Sequence, residues 1–344
     1  TLADLLSRGK YRTAGFISNW PLKDRLSGLG KGFDHYQEIF TRKRWLGMIN
    51  PEGMAPDVNQ AVEHWLNRNG NHSGPFFLWI HYIEPHAPYI NHPGISLAPF
   101  DRKKHGAGAK RKLIDPYDSE IVYVDRHIGL LIDLFKGKKV LDNSVLIFTA
   151  DHGESFGEHD YYQHGRRLYD DCLHVPLIIR LPGSAQAGTR NRGLCSLTDI
   201  APTLLYAAGI PKGKWMEGQN LLGGDVHKEF VFSEAYKGAA LLKRGERFKR
   251  KVQPIRFAIT TPEFKLIFNQ HENNFEAYHT RSDPFEEQEQ FTSLRNDLRT
   301  FRTLLITHIR DLKSYIKLGE KKFKQPAKMT LEDLEKLKSL GYID

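Results

Sequence analysis

Two patterns of apolar residues alternate along the chain, namely continuous apolar runs and apolar residues spaced three or four positions apart. Continuous apolar runs of strand length, typical of strands buried on both faces, occupy residues 13–18, 75–81, 144–149 and 175–181. Between these runs, apolar residues three and four positions apart predict helices over residues 2–9, 58–66 and 117–135. This alternation predicts an α/β fold in which helices cover both faces of a mostly parallel sheet. The run at 75–81 is expected to be an interior strand.

The pattern changes after a further helix that ends at Gly209. Short turns join the next predicted strands, which lie at 229–233, 256–260, 264–269 and 275–278. Short strands of this kind indicate a small antiparallel sheet. A charged helix at 287–317 and a short helix at 331–340 follow. We therefore expect an α/β core over residues 1–225 and a C-terminal subdomain over residues 226–344.

Composition indicates a folded globular protein with an anionic partner. The chain has 344 residues, 40% of them hydrophobic, and its 50 Lys and Arg against 41 Asp and Glu give a formal charge of +9. This excess favours a sulfate or phosphate ester, a polyanion or a membrane surface as partner. The densest basic stretches, 102–112 and 243–251, contain glycine and polar residues, so we interpret them as solvated loops and expect no nucleic acid partner.

Cysteine usage and hydropathy limit the other classes of protein. Cys172 and Cys195 lack the spacing of a metal site, and their apolar neighbours predict two buried thiols. No apolar run approaches the roughly 18 residues of a membrane span. Because the chain opens at Thr1 inside an amphipathic helix, we expect any signal or anchor upstream. The compartment is periplasmic, secreted or membrane-anchored with such a signal, and cytoplasmic without one.

Polar residues that follow the predicted strands are the candidates for chemistry. Ligand sites of parallel sheets collect at the carboxyl ends of the strands. The strand ends carry Ser18 and Asn19, then His81, Glu84 and His86, and then Asp151 and His152.

The pair Asp151 and His152 places a carboxylate and an imidazole on a tight turn, where Gly153 lets the backbone turn away. The pair can bind a divalent metal, but a hard cation takes about six ligands and zinc about four. On the dipeptide alone, a helix cap and a loop histidine are the favoured interpretation. His164 in the same loop, and His86 between two prolines, shift the interpretation toward a metal or anion site.

Several motifs occur in a fixed order along the whole chain. They are Tyr11-Arg12-Thr13-Ala14-Gly15-Phe16, Pro85-His86-Ala87-Pro88-Tyr89, Asp151-His152-Gly153-Glu154, His164-Gly165, Val175-Pro176-Leu177, Asp199-Ile200-Ala201-Pro202-Thr203 and the closing Leu340-Gly341-Tyr342. In this order they resemble the sulfatase branch of the alkaline-phosphatase superfamily. The resemblance implies an alkaline-phosphatase-like fold and a metal-dependent sulfuric ester hydrolase, whose partner is an anionic sulfate ester substrate.

The same resemblance implies roles for individual residues. Asp151 and His152 would be ligands of a divalent metal ion, with calcium as the first candidate and manganese, magnesium or zinc as alternatives. His86 and His164 would contact the sulfate or the leaving oxygen. His86 is the first candidate for the proton donor, and His164 is the second.

The chain departs from the family pattern in two ways. Ser18 and Asn19 are only weak candidates for substrate contacts, because the family more often has Gly-Lys-Trp-His there. Family members also place paired acidic metal ligands and a Cys-x-Pro-Ser-Arg or Ser/Thr nucleophile motif before the helix that opens this chain. Neither Cys172 nor Cys195 lies in that motif. The resemblance therefore implies a fragment with half of a metal site, which we expect to bind metal weakly and to turn over little or no ester.

Three functions remain open from the sequence. The first is hydrolysis of sulfate esters. The second is phosphoryl chemistry on the same fold, as in phosphonate or phosphodiester hydrolases and phosphoglycerol transferases. The third is non-catalytic binding of a polyanion through the positive charge. Sequence upstream of Thr1 separates the first two, since Cys-x-Pro-Ser-Arg there indicates a formylglycine sulfatase.

Overall fold

The computed structural model of the chain describes most of its residues. The described ranges are 1–40, 42–43, 51–69, 74–97, 111–223, 228–236, 240–242, 249–251 and 254–322. The predicted helix at 331–340, the closing Leu340-Gly341-Tyr342 and most of the two basic stretches lie outside them.

Helices and strands alternate over the first two thirds of the chain, as the sequence pattern predicts. The helices are α1 (Leu2–Arg8), α2 (Asp24–Ser27), α3 (Ala55–Asn69), α4 (Arg111–Gly137), α5 (Asp170–Leu173), α6 (Ile200–Ala207), α7 (Phe291–Leu294) and α8 (Arg299–Lys322). The strands of this part are β1 (Arg12–Ile17), β2 (His35–Glu38), β3 (Arg42–Lys43), β4 (Pro51–Glu52), β5 (Phe76–Ile80), β6 (Leu146–Thr149), β7 (Ser155–Phe156), β8 (Tyr162–Gln163) and β9 (Leu177–Arg180). The remaining strands are β10 (Val231–Tyr236), β11 (Ala240–Leu242), β12 (Lys249–Lys251), β13 (Pro254–Thr260), β14 (Lys265–Asn269) and β15 (Asn274–Tyr278).

A parallel sheet forms the centre of the α/β part. Within the described ranges its order is β2-β1-β5, and β1 pairs in parallel with both neighbours. Helices α3 and α4 cover it with apolar residues at helical spacing, among them Val62, Leu66, Leu131 and Phe135, which pack in one core with Phe16 of β1. This core confirms the predicted α/β class with helices on a parallel sheet.

Strand neighbours differ from the prediction in two places. In the described part of the chain, β5 pairs with β1 alone and lies at the sheet edge, although an interior strand was predicted. Strands β6 and β9, predicted for the parallel sheet, pair with each other in antiparallel register, with Thr149 opposite Leu177. An apolar run indicates a strand, but it carries no information about which strand it will bond.

A small antiparallel sheet follows, as predicted, with the order β10-β13-β14-β15. Leu305 and Ile309 of α8 pack against Phe257 and Ile259 of β13 in a second core. The helix predicted at 287–317 is two helices, α7 and α8, because residues 295–298 between them form a turn, and the first of the two begins four residues later than predicted. The predicted boundary between the two units, at residue 225, remains a prediction.

The two cysteines differ in environment. Cys172 is buried, as expected, and burial raises the pKa of its thiol. Cys195 is exposed, so the prediction of a second buried thiol was wrong. Its apolar neighbour in sequence suggested burial, but residues 185–198 form a mostly exposed loop. In the part of the chain that the structure covers, no helix combines the length and the apolar character that a membrane span requires.

Buried charges join the C-terminal sheet to helix α5. The Lys265 side chain is fully buried at the start of β14, and its ammonium contacts carboxylates of Asp170 and, at 2.6 Å, Glu286. Glu286 also accepts a hydrogen bond from the Asp170 backbone N–H at 2.7 Å. Beside this cluster, the Tyr169 hydroxyl donates to Glu276 of β15 at 2.7 Å. These bonds fix α5, and the loop before it, against the sheet.

Replacement of Lys265 by Met should lower the free energy of unfolding at pH 8 by about 3–5 kcal/mol, because two carboxylates lose their cation. Burial raises the pKa of Glu286 to about 7, with Lys265 opposing the rise. Between the normal carboxyl pKa and pH 7, Glu286 is therefore protonated to a greater extent in the folded state than in the unfolded state. Its contribution to the free energy of unfolding increases as the pH falls through that range.

The decrease in the free energy of unfolding caused by Lys265→Met should consequently be smaller at pH 5 than at pH 8. Urea unfolding followed by tryptophan fluorescence measures it. Lys136→Met is the matched control, because Lys136 forms an exposed helix-surface pair with Asp133. That control should change stability by less than about 0.5 kcal/mol. Equal losses for the two variants would contradict a stabilising role for the buried cluster.

Candidate active site

The turn after β6 carries the predicted metal ligands at the carboxyl end of that strand. The Asp151 side chain is 76% exposed, and its Oδ1 accepts the backbone N–H of His152 at 3.1 Å. The Nδ1 of His152 lies 2.8 Å from the Gly153 carbonyl oxygen, which can only accept, so Nδ1 carries the proton. His152 Nε2 and Asp151 Oδ1 lie 3.8 Å apart. The turn thus presents a carboxylate oxygen and an imidazole nitrogen side by side.

Gly153 lies against the backbone of helix α5. Its N–H donates to the Cys172 carbonyl at 2.8 Å, and a Cβ at this position would lie 2.1 Å from the Asp171 carbonyl oxygen. Real Cβ atoms essentially never approach so closely. Glycine is required here by the close approach of two backbone segments, because any side chain would push the turn of Asp151 and His152 away from α5.

His86 reaches the same region from the loop after β5. Its ring is buried, and Nδ1 lies 2.8 Å from the Ala87 carbonyl oxygen, so this nitrogen is again the protonated one. Burial lowers the pKa of His86, and the nearby His164 and His152 lower it further, while Glu154 acts in the opposite direction. The lowered pKa favours a neutral imidazole.

His164 completes a group of three imidazoles. Its ring stacks on that of His152 with centroids 3.9 Å apart and lies edge-on to His86 at 5.8 Å. His164 follows β8, and His86 lies more than 70 residues earlier in the chain. The fold therefore brings together Asp151, His152, His86 and His164, all four of the stronger candidates from the sequence.

One carboxylate and two phenols at the site were not assigned a role from the sequence. Glu154 is buried, and its Oε2 accepts the Tyr89 hydroxyl at 2.6 Å and lies 3.2 Å from His164 Nδ1. Tyr117 packs edge-on against Tyr89, and burial raises its pKa to about 12. Glu154 stands in the quoted motif beside His152, and that position was the signal available in the sequence.

His81 is a further neighbour of the turn. Burial lowers the pKa of His81 to about 4, and the charge of Asp151 opposes that shift. The Nδ1 atom of His81 is inaccessible and has no hydrogen-bond partner among the residues that the structure describes. His81 is therefore a neutral imidazole next to the turn of Asp151 and His152.

The two weak candidates lie at the end of β1. The Ser18 side chain is buried and its hydroxyl donates to the His81 carbonyl at 3.0 Å, while the His81 N–H bonds the Phe16 carbonyl at 2.8 Å. Ser18 thus joins the ends of β1 and β5. Asn19 is buried beside it. A contact of either residue with substrate remains a prediction.

The donor set fits part of a divalent metal site. Metal–ligand distances are roughly 2.0–2.6 Å. One cation can therefore bind both His152 Nε2 and Asp151 Oδ1, which lie 3.8 Å apart. The carbonyl bond to Nδ1 of His152 leaves Nε2 as the nitrogen with a lone pair, as metal-binding histidines require. Among the described residues, no group of three or more His, Cys, Asp and Glu side chains is arranged to hold a metal ion. The two donors therefore need further ligands.

Gly153→Ala should destabilise the fold by about 1–3 kcal/mol through overpacking and should weaken binding of a divalent metal, because the turn must move away from α5. The measurements are thermal unfolding and calorimetric titration with manganese or calcium. Gly129→Ala in α4 is the control, because a Cβ there meets nothing within 4 Å. It should leave metal binding unchanged and stabilise the helix by up to about 1 kcal/mol. Unchanged metal affinity in Gly153→Ala would contradict the role assigned to this contact.

Comparison with known proteins identifies the family. The profile of the family described as Sulfatase matches residues 1–210, and the profile described as N-sulphoglucosamine sulphohydrolase, C-terminal, matches residues 157–312. An N-acetylglucosamine-6-O-sulfatase of Bacteroides thetaiotaomicron is 30% identical over 171 residues, which cover 49% of this chain and 30% of that protein. The chain spans about half or less of the length of the curated relatives that it matches.

Solved structures share the fold at low sequence identity. BT4656, solved in complex with its substrate D-glucosamine-2-N,6-O-disulfate, superposes with a TM-score of 0.67 at 18% identity, covering 94% of this chain and 84% of that one. A protein in the alkaline phosphatase superfamily from Vibrio parahaemolyticus superposes with a TM-score of 0.58 at 19% identity, covering 84% and 62%. These likenesses establish the fold, and the profile match over more than half of the chain establishes the family. The chain belongs to the sulfatase family.

Proposed function

We propose that this protein hydrolyses sulfate esters, with Asp151 and His152 as ligands of a divalent metal ion. The observation that carries the proposal is the convergence of the three imidazoles of His86, His152 and His164 beside the Asp151 carboxylate. Imidazoles around an open carboxylate suit a negatively charged group that is transferred next to a metal.

A sulfated amino sugar is the substrate class that we propose to test first. One relative is named as an N-acetylglucosamine-6-O-sulfatase, and BT4656 was solved with a disulfated glucosamine as its substrate. The formal charge of +9 is compatible with such an anion.

Sulfatases generally use a divalent metal ion. When bound, the ion would act as a Lewis acid on the sulfate oxygens. Calcium is the first candidate, and manganese, magnesium and zinc are the alternatives. Because the described residues supply only two of its ligands, we propose that the other ligands and the nucleophile come from residues outside the described ranges.

His86 and His164 are the candidates for contact with the sulfate group and for proton delivery. His86 and His164 each have Nδ1 bonded to a protein acceptor, so Nε2 is the ring atom of each that can take up a proton and then donate it to a sulfate or leaving oxygen. Burial lowers the pKa of His86, which argues against a proton held there at neutral pH. We therefore place His164 before His86 as the group that delivers a proton to the leaving alkoxide, reversing the order implied by the resemblance.

Metal affinity tests the ligand assignment. Asp151→Asn should weaken binding of calcium or manganese by at least about 10-fold in a calorimetric titration, because the anionic ligand is lost. Asp142→Asn is the control, since Asp142 is a surface carboxylate paired with Arg180 outside the site. We expect the 344-residue chain alone to bind metal weakly. Equal affinities for the Asp151 and Asp142 variants would contradict the assignment.

Turnover by the complete gene product tests the reaction. His164→Gln and His86→Gln should each lower kcat for 4-nitrophenyl sulfate or glucosamine 6-sulfate, with the larger loss, roughly 10²- to 10⁴-fold, at His164. His271→Gln in the exposed β14–β15 turn is the control and should retain full activity. If the protein cleaves 4-nitrophenyl phosphate and leaves the sulfate intact, the phosphoryl branch of the superfamily is the correct function and the proposal fails.

A further inference from the structure

Glu154 is a buried carboxylate to which the reaction outlined above assigns no part. Its side chain is 4% exposed, although burial of a carboxylate costs several kcal/mol unless donors compensate it. Two donors do so. The Tyr89 hydroxyl donates to Oε2 at 2.6 Å, and His164 Nδ1 lies 3.2 Å from Oε2 and 3.3 Å from Oε1.

The partner of Nδ1 distinguishes His164 from the other two imidazoles of the site. In His86 and in His152, Nδ1 bonds the carbonyl oxygen of the next residue, at 2.8 Å in each case. In His164 it faces a carboxylate that lies ten residues away in sequence. The first two bonds follow from local backbone geometry, whereas the third exists only because the loop folds back on the metal-binding turn.

We propose that Glu154 is a positioning residue for His164. Its carboxylate accepts the Nδ1 proton, so that the Nε2 lone pair of His164 is directed away from Glu154. Nε2 can there take up a proton from solvent and pass it to the leaving oxygen while Nδ1 stays bonded to Glu154. The inference rests on the proposed function, since sulfate ester hydrolysis is the reaction that the oriented ring serves.

Tyr89 gives the carboxylate itself a fixed direction. Its hydroxyl bonds the same Oε2 atom that lies nearest to His164, and its ring packs edge-on against Tyr117 and Phe156. The chain of contacts therefore runs from a packed aromatic group, through a buried carboxylate, to an imidazole stacked on the metal ligand His152. Such outer partners fix the tautomer and ring orientation of the histidines they bond.

The tautomer is a direct readout that needs no turnover. In protein labelled with ¹⁵N-histidine, long-range ¹H–¹⁵N correlation spectra at pH 8 distinguish an Nδ1–H ring from an Nε2–H ring, and loss of one signal in His164→Gln assigns His164. The wild-type protein should show His164 as the Nδ1–H tautomer. An Nε2–H tautomer in the wild type would overturn the proposal, whatever the variants do.

Two substitutions of similar size separate positioning from simple packing. Glu154→Met keeps the volume and removes the acceptor, and should shift His164 away from the Nδ1–H tautomer. Glu154→Gln keeps a carbonyl-type acceptor, and should restore the Nδ1–H tautomer. If Glu154→Met folds, as judged by thermal unfolding, and His164 keeps its Nδ1–H tautomer, the carboxylate does not position the ring and the inference is wrong.

Kinetics supply the second readout. With 4-nitrophenyl sulfate, Glu154→Met should lower kcat by about 10- to 100-fold, the range typical of outer-shell partners, with little change in KM. Glu154→Gln should regain a large part of that loss. A folded Glu154→Met protein with full kcat would overturn the inference. If the complete wild-type gene product cleaves no sulfate ester, the proposed function fails, while the tautomer measurement still decides the role of Glu154.

Discussion

The close approach of Gly153 to helix α5 is the constraint on which the site depends. The turn bearing Asp151 and His152 lies so near the Asp171 carbonyl that no side chain fits between them. Helix α5 is in turn held by the C-terminal sheet, through the buried Lys265 and through the Tyr169 bond to Glu276. Residues about 100 positions later in the chain than α5 therefore fix the position of the turn that carries Asp151 and His152.

Orientation of the imidazoles is the second consequence of this packing. Each of the three rings has Nδ1 bonded to an acceptor, two of them to the carbonyl oxygen of the next residue and one to Glu154. The common pattern leaves Nε2 of each ring for a metal or an anion. Burial makes His86 a neutral group by lowering its pKa, and the carboxylate partner distinguishes His164. The same type of side chain thus differs in its chemical properties at the two positions because the surrounding groups differ.

Much of the fold followed from the spacing of apolar residues, and the pairing of some strands did not. The sequence predicted β1 and β13 to β15 nearly to the residue, because apolar runs and turn residues are local signals. It predicted the family and the α/β class, which the profile match and the solved structures confirm. The antiparallel pairing of β6 with β9 and the exposure of Cys195 were missed, since both depend on which segments meet in three dimensions. The bond from His164 to Glu154 was missed for the same reason.

The most direct test of the central claim is a crystal structure of the protein grown with manganese and a sulfate ester analogue, using anomalous scattering to locate the ion. We predict a manganese peak within bonding distance of the Asp151 carboxylate and His152 Nε2, with the sulfate group facing His86 and His164. We also predict that the Gly153 N–H remains bonded to the Cys172 carbonyl in that complex. A manganese peak elsewhere in the protein, with Asp151 and His152 bound only to water, would contradict the assignment of this site.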